Sequence, residues 1–277
     1  MTVPALSLNN GVQIPQVGFG VFQVPAEETQ RAVETALEAG YRHIDTAAAY
    51  SNEEGVGAAL RAVGLPREDV FVTTKVRNKD QGHEETLAAF DASRSALGLD
   101  VVDLYLIHWP YPSRDRYVET WRALEKLYAE GAVRSIGVSN FLPEHLERLR
   151  VETDVVPAVN QIELHPGFQN RAAAEASEHA GIAVEAYSPI ARGASLDKDE
   201  IARTAKELGV TSAQVILRWH AQRGRIIIPK SATPERIQQN IDLFGFELDE
   251  EQLAAIDALD AGERIGTDPA VMDKPQD

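Results

Sequence analysis

The chain has 277 residues, and 27 Lys and Arg against 43 Asp and Glu give it a net charge of −16. Such an acidic surface repels nucleic acid and anionic lipid at long range. The sequence contains no Cys, which excludes disulfides, thiol nucleophiles and Cys-ligated zinc or iron–sulfur clusters.

The organisation of the chain predicts one soluble domain. No Gly/Ser-rich or Pro-rich linker divides the sequence, so we expect a single domain over residues 1–277. The first residues lack a basic stretch followed by an apolar run, and no apolar run approaches the ~18 residues that a membrane span requires. We therefore expect a cytoplasmic monomer without nucleic-acid or membrane partners.

A β-hairpin is the first predicted element, because Asn9-Asn10-Gly11 separates two alternating stretches, residues 6–8 and 12–14. From residue 17 onward, a short apolar run followed by a segment with helical spacing recurs eight times. The predicted strands are 17–20, 42–45, 70–75, 102–108, 135–139, 159–162, 182–187 and 225–228, and a last helix is expected near residues 250–259.

This alternation predicts an α/β fold, a (β/α)₈ or TIM barrel, with an N-terminal β-hairpin cap and an extra C-terminal helix. Strands that alternate with helices imply a parallel sheet, and eight units in a chain of this length favour a closed barrel. An open sheet that binds a dinucleotide would usually carry Gly-x-Gly-x-x-Gly after its first strand. Gly18 and Gly20 do not supply that motif.

Polar side chains stand where the predicted strands end, which is the end at which such barrels build their active sites. A barrel end with a purely structural role requires no such collection, so we interpret the shared rim as a functional site. The residues are Asp45, Lys75, His108, Ser139, Asn140, Gln161, Tyr187 and Lys230.

Tyr50, on the loop after the second predicted strand, is the candidate acid of this rim. A phenol ordinarily has a pKa of about 10, and a neighbouring Lys75 ammonium favours the phenolate, so we expect the pKa of Tyr50 to be lowered. Tyr50 would then protonate a carbonyl oxygen that His108 also contacts, while Asp45 offsets the cost of burying Lys75. With no thiol or nucleophile elbow in the sequence, we infer that a cofactor hydride attacks the carbonyl carbon. Each residue also has a structural interpretation, as a helix cap, a surface charge or a core side chain.

A phosphate pocket is predicted after the eighth strand. Thr233 is suited to cap the next helix and Pro234 to begin it, and helix N-termini in this part of a barrel often bind anions. Lys230 and Arg236 add two positive charges to an otherwise acidic chain. The alternative is an ordinary capped surface helix.

Several segments together resemble the aldo-keto reductase family, and within it the bacterial 2,5-diketo-D-gluconic acid reductases. They span most of the chain in the order typical of that family, which makes the combination specific. The segments are GYRHIDTAAAY at residues 40–50, TTK at 73–75, DLYLIHWP at 103–110, SIGVSNF at 135–141, NQIE at 160–163 and IPKS at 228–231.

The resemblance implies NADPH-dependent reduction of aldehydes or ketones, with sugar ketoacids such as 2,5-diketo-D-gluconate or dicarbonyls as substrates. It implies a catalytic tetrad in which Tyr50 gives the proton, Lys75 lowers its pKa, Asp45 pairs with Lys75 and His108 orients the carbonyl. For NADPH it implies Ser139, Asn140 and Gln161 at the nicotinamide carboxamide, Tyr187 stacked on the nicotinamide ring, Lys230, Ser231 and Arg236 at the 2′-phosphate, and Gln239 and Asn240 at the adenine.

The substrate pocket is less well defined by the sequence. The resemblance implies that Phe22 and Trp109 form apolar walls. Arg77 stands where these reductases often carry an aromatic residue, so it either pairs with a substrate carboxylate or phosphate or is a solvated charge on the rim. The segment 261–277 corresponds to the variable substrate loop of the family, and its specificity is not readable from sequence.

Two other functions remain open at this point. A barrel glycosidase would use paired carboxylates, for which Glu163 and Glu185 are candidates. A non-catalytic module would bind NADPH and report redox state to a partner, although binding alone does not require both Tyr50 and Lys75. We expect no metal, since the seven His are scattered along the chain.

Overall fold

The computed structural model describes residues 3–275, and it consists of a hairpin followed by eight parallel strands. The hairpin strands pair antiparallel, with Leu6 opposite Ile14. Strands β3 to β10 form one sheet in sequential order. The strands are β1 Ala5–Ser7, β2 Gln13–Pro15, β3 Phe19–Gly20, β4 His43–Asp45, β5 Phe71–Val76, β6 Val102–Ile107, β7 Val133–Ser139, β8 Val159–Glu163, β9 Ala183–Tyr187 and β10 Ile226–Ile228.

The helices alternate with these strands, as the sequence predicts, and two of them follow β9. The observed strand limits differ from the predicted ones by one or two residues. The helices are α1 Ala26–Glu38, α2 Glu53–Val63, α3 His83–Leu97, α4 Tyr117–Ala129, α5 Pro143–Glu152, α6 Arg171–His179, α7 Asp199–Leu208, α8 Ser212–Gln222, α9 Pro234–Ile241 and α10 Glu250–Asp257.

The sheet closes into a barrel between its first and last strands. Val17 forms a parallel bridge with Ile227. The Ile227 amide donates to the Gln16 carbonyl at 2.9 Å, and the Gly18 amide donates to the Ile227 carbonyl at 2.8 Å. These bonds use the backbone groups that an open edge would expose. The predicted (β/α)₈ barrel is confirmed, including the extra C-terminal helix α10.

Alternation along the strands divides the core into two clusters. Strand residues such as Ile44 and Val72 face the helices and belong to the larger cluster. Phe71, two positions from Thr73, faces the barrel interior together with Leu8 and Ile14 of the hairpin. Successive side chains of a strand point to opposite faces, so neighbouring residues such as Phe71 and Val72 belong to different clusters. The hairpin therefore covers the N-terminal end of the barrel, as predicted, and leaves the other end open.

The C-terminal segment, residues 261–275, crosses that open end. At its start, the Ala261 and Glu263 amides both donate to the Gly167 carbonyl in the loop after β8. At its far end, the Tyr111 hydroxyl donates to the Asp273 carbonyl at 3.0 Å. The segment thus joins the loops that follow β8 and β6. No helix in residues 3–275 is long and apolar enough to cross a membrane.

Candidate active site

A cavity of about 850 Å³ lies at the open end of the barrel, beneath the C-terminal segment. It holds most of the rim residues that the sequence predicts. A second cavity, of about 590 Å³, lies near the starts of β5 and β6 and contains none of them. The predicted residues on the wall of the larger cavity are Phe22, Asp45, Tyr50, His108, Trp109, Ser139, Asn140, Gln161, Tyr187 and Lys230.

An ion pair between Asp45 and Lys75 forms the base of the cavity. Asp45 pairs with Thr73 across β4 and β5, and Lys75 lies two residues further along β5, on the same face. The Lys75 ammonium donates to Asp45 Oδ1 at 2.7 Å, to Asp45 Oδ2 at 2.8 Å and to the Thr46 carbonyl at 2.9 Å. Burial lowers the pKa of Lys75, but the charge of Asp45 and its hydrogen bond outweigh that effect and raise it. Lys75 is therefore a buried cation at neutral pH.

Tyr50 stands above this ion pair, at the end of a short 3₁₀ turn, Ala48–Tyr50. The Lys75 ammonium lies 5.2 Å from the centre of the Tyr50 ring. Burial raises the pKa of Tyr50, and the charge of Lys75 and a side-chain hydrogen bond to it lower the pKa only in part. The net pKa is above its ordinary value, so the predicted lowering of the pKa was wrong in direction. The phenol is consequently protonated at neutral pH, and Lys75 reduces the cost of removing its proton.

His108 follows β6 and faces the same cavity. Its ring centre lies 5.6 Å from that of Tyr50, with the two rings edge to face. Burial, and then the charge of Lys75, hold the pKa of His108 well below its ordinary value. The imidazole is therefore neutral at physiological pH. It can form a hydrogen bond to a bound oxygen, but Tyr50 is better suited to give up a proton.

Three amide and hydroxyl side chains continue the wall next to this group. Asn140 donates through Nδ2 to the His108 carbonyl and to Ser139 Oγ, at 3.0 Å each, and its Oδ1 accepts from the Tyr187 hydroxyl at 2.8 Å. Gln161 donates through Nε2 to Asp45 Oδ2 at 2.9 Å. No hydrogen bond within residues 3–275 uses Gln161 Oε1, which leaves this oxygen as an acceptor.

The predicted phosphate pocket lies where β10 leads into α9. Pro234 begins the helix as predicted, but the Thr233 side chain caps no amide of it. Ser231 Oγ instead accepts from the Thr233 amide at 3.1 Å. Lys230 and Arg236 are exposed, and neither forms an ion pair within the part of the chain that the structure describes. Gln239 is exposed on α9 and Asn240 is buried.

The substrate-pocket residues divide into two groups. Phe22, 47% exposed, packs on Tyr50 with ring centres 5.0 Å apart, and Trp109 lines the same cavity. Arg77 is not on the cavity wall, and its Nε donates to Asp80 Oδ2 at 2.6 Å. The structure therefore does not support the hypothesis that Arg77 binds a substrate carboxylate or phosphate.

The two carboxylates considered for a glycosidase do not line the cavity. Glu185 is fully buried inside the barrel, where its Oε2 accepts from Gln161 Nε2 at 2.9 Å. Glu163 accepts hydrogen bonds from two backbone amides, those of Ile265 and Gly266. Neither carboxylate can reach a sugar in this cavity, and the glycosidase hypothesis is not supported.

Sequence reasoning missed part of the wall. Arg192 and the stretch formed by Ile265, Gly266 and Thr267 also line the cavity. Arg192 lies beyond the end of β9, the position that marks a rim residue, so it could have been found. The C-terminal stretch carries no strand or helix pattern that would place it there. Within residues 3–275, no group of His, Asp and Glu is arranged to hold a metal ion.

The chain is similar to known proteins over nearly its whole length. The chain matches the model of the Aldo/keto reductase family over residues 16–261. An aldo-keto reductase of Mycolicibacterium smegmatis is 54% identical over 266 residues, which cover 96% of this chain and 97% of that protein. Methylglyoxal reductase DkgA of Yersinia pestis is 49% identical, with 97% of each chain covered. Glyoxal reductase of Bacillus subtilis is 48% identical, with 95% of each chain covered.

Among solved structures, a mutant of Gox0644 in complex with NADPH is similar to this chain, with a TM-score of 0.94. The two are 45% identical, and the match covers 98% of this chain and 99% of that one.

Proposed function

Because the chain belongs to the aldo/keto reductase family, we propose that it reduces aldehydes or ketones to alcohols with NADPH. The observation that carries this proposal is the position of the Tyr50 phenol beside the buried Lys75–Asp45 ion pair, on the wall of a cavity of about 850 Å³. Two relatives are named methylglyoxal reductase and glyoxal reductase. Their names support small dicarbonyls as the substrates of this chain. Sugar ketoacids such as 2,5-diketo-D-gluconate are a second substrate class to test.

The described residues fit NADPH on two observations. Gln161 Oε1 is a free acceptor near Tyr50 and Tyr187, as a carboxamide NH₂ requires. Lys230 and Arg236 are cations without a carboxylate partner in residues 3–275, and they flank a helix start that no side chain caps. Helix N-termini and paired cations attract phosphate. We therefore assign the 2′-phosphate to Lys230, Ser231 and Arg236. For the adenine we propose Gln239 and Asn240, which rests on the resemblance to the family alone.

Bound NADPH supplies the hydride that reduces the carbonyl carbon. The residues of this chain act on the carbonyl oxygen. The neutral His108 forms a hydrogen bond to this oxygen, and Tyr50 transfers its proton to the oxygen as the C=O bond becomes C–O–H. Lys75 stabilises the phenolate that remains on Tyr50, and Asp45 keeps Lys75 in place. Because one chain builds the whole cavity, we propose that the protein acts as a single-domain monomer.

Replacement of Tyr50 by Phe tests this function directly. We expect kcat/KM for methylglyoxal, measured by NADPH oxidation, to fall by about 10²–10⁴-fold, the contribution typical of a positioned acid. The Kd of NADPH, measured by fluorescence titration, should change less than twofold. Full activity of this variant would show that Tyr50 is not the acid. Tight NADPH binding by the unaltered protein without turnover of any carbonyl would favour the redox-reporting module instead.

A further inference from the structure

The C-terminal segment is tied to the barrel by a buried carboxylate. Glu163 Oε1 accepts from the Ile265 amide at 2.6 Å, and Oε2 accepts from the Gly266 amide at 2.8 Å. His165 Nε2 lies 3.3 Å from Oε1. The Glu163 side chain has no solvent exposure. Hydrogen bonds to an ionised acceptor are about twice as strong as neutral ones, so this is the firmest link between the segment and the barrel.

The absence of a side chain at Gly266 lets the two donor amides come close to the carboxylate. A Cβ added to Gly266 would lie 2.5 Å from Glu163 Oε2, which is closer than such atoms approach. A side chain at residue 266 would therefore require the Glu163 carboxylate or the segment to shift. The same hypothetical atom would lie 3.6 Å from the Tyr187 hydroxyl. Gly266 therefore lies near the hydroxyl end of Tyr187, on the wall of the same cavity.

The loop that follows Glu163 is itself held by hydrogen bonds. His165 and Phe168 form a two-bond bridge, with the His165 amide donating to the Phe168 carbonyl at 3.0 Å and the reverse bond at 2.9 Å. The Asn170 side chain also donates to the Glu163 carbonyl, at 3.2 Å. Burial raises the pKa of Glu163, but the hydrogen bonds from His165, Ile265 and Gly266 outweigh it and lower the pKa. The carboxylate is therefore ionised at neutral pH.

We propose that Glu163 is a positioning residue that holds Ile265 and Gly266 in place as the wall of the cavity facing the carbonyl substrate. This inference rests on the proposed function. Ile265 and Gly266 line the same cavity as Phe22, Tyr50 and Trp109. Among the described residues, no hydrogen bond or ion pair joins the C-terminal segment to the candidate phosphate residues 230–240. Loss of the link should therefore affect the substrate more than the nucleotide.

Three variants disturb the link from both sides: Glu163→Gln, Gly266→Ala and the double variant. Gln keeps the shape of Glu163 but turns one acceptor into a donor that faces a backbone amide. Ala at Gly266 blocks the approach of the two amides while residue 163 remains Glu. The matched control is Glu251→Gln, which neutralises an exposed carboxylate on α10.

Hydrogen exchange of peptides that cover residues 263–268, in the protein without ligands, measures the link itself. Loss of one charge-assisted bond corresponds to about a tenfold or larger change in local opening. We expect exchange in this stretch to accelerate about tenfold in each single variant, with the double variant no faster than the faster single one. The control Glu251→Gln should keep the original rates. Unchanged exchange in Gly266→Ala would overturn the link even if Glu163→Gln fails to fold.

Steady-state kinetics measure its consequence. We expect KM for methylglyoxal to rise about tenfold in the single variants, the change that one such bond corresponds to, with the Kd of NADPH within twofold. Faster exchange with an unchanged KM, or an equal rise of KM and of the NADPH Kd, would overturn the assignment of this wall to the substrate. If the unaltered protein reduces no carbonyl, the proposed function fails, and the exchange rates still decide whether Glu163 holds the segment.

Discussion

Replacement of Glu185 by Gln removes a buried acid that lies beneath the candidate active site. Glu185 faces Asp45 and Lys75 through Gln161, and its Oε1 lies 3.7 Å from His43 Nε2. Burial, and then the charge of Asp45, raise the pKa of Glu185 from 4.5 to about 8. The carboxyl is therefore protonated at neutral pH, and Gln has nearly the same shape and charge.

The raised pKa of Glu185 makes the free energy of unfolding depend on pH. Between pH 4.5 and 8 the folded protein holds a proton on Glu185 that the unfolded chain has lost, so stability falls as pH rises through this window. For these two pKa values, the loss between pH 6 and pH 9 is about 2–3 kcal/mol. The Gln variant has no such proton to lose. Relative to the unaltered protein, it should gain about 2–3 kcal/mol over the same range.

Urea unfolding of both proteins at pH 6, 7, 8 and 9 measures this difference. Burial lowers the pKa of His43 to about 3, so folded His43 stays neutral throughout, and its titration in the unfolded chain is common to both proteins. The variant Glu251→Gln controls for loss of an exposed charge. Parallel stability curves for the unaltered protein and Glu185→Gln, within about 0.5 kcal/mol, would refute the reasoning that Glu185 is a buried neutral acid.

Three further changes test the site and the packing. Lys75→Met leaves Asp45 buried without its cation, so it should abolish NADPH oxidation and lower stability by about 3–5 kcal/mol; adding Asp45→Asn should restore stability, measured by urea unfolding, but not activity. Arg236→Ala should weaken NADPH several-fold more than NADH in fluorescence titrations, and equal losses would contradict a 2′-phosphate contact. Gly57→Ala places a Cβ 2.3 Å from the Leu97 carbonyl oxygen and should lower the unfolding free energy by about 1–3 kcal/mol, which an unchanged melting temperature would contradict.

Much of the site was predictable because the position of the strand ends in a barrel follows a simple rule. Parallel strands that alternate with helices bring all their C-terminal ends to one rim, so Asp45, His108 and Gln161 were expected to meet before any contact was known. The alternation of side chains along β5 likewise predicts that Lys75 points inward with Thr73.

Other features depended on distances that no local pattern encodes. Arg77 follows Lys75 by two residues, yet its side chain pairs with Asp80 rather than facing the cavity. The pKa of Tyr50 depends on how much burial opposes the charge of Lys75, and burial is a property of the assembled cavity. The presence of a cation nearby therefore did not determine the direction of the pKa change.

The sequence by itself determined the barrel, the hairpin cap and the polar side chains at the strand ends, because periodicity and turn residues act over a few neighbouring positions. Only the tertiary structure decided the contacts of Glu163 and Glu185, the two carboxylates that are outside the predicted tetrad. Glu163 meets the amide of Gly266 from 103 residues away, and Glu185 meets Asp45 through Gln161 in the closed interior. Contacts between such distant positions form only when the barrel closes and excludes water, which also determines the charge of each group there.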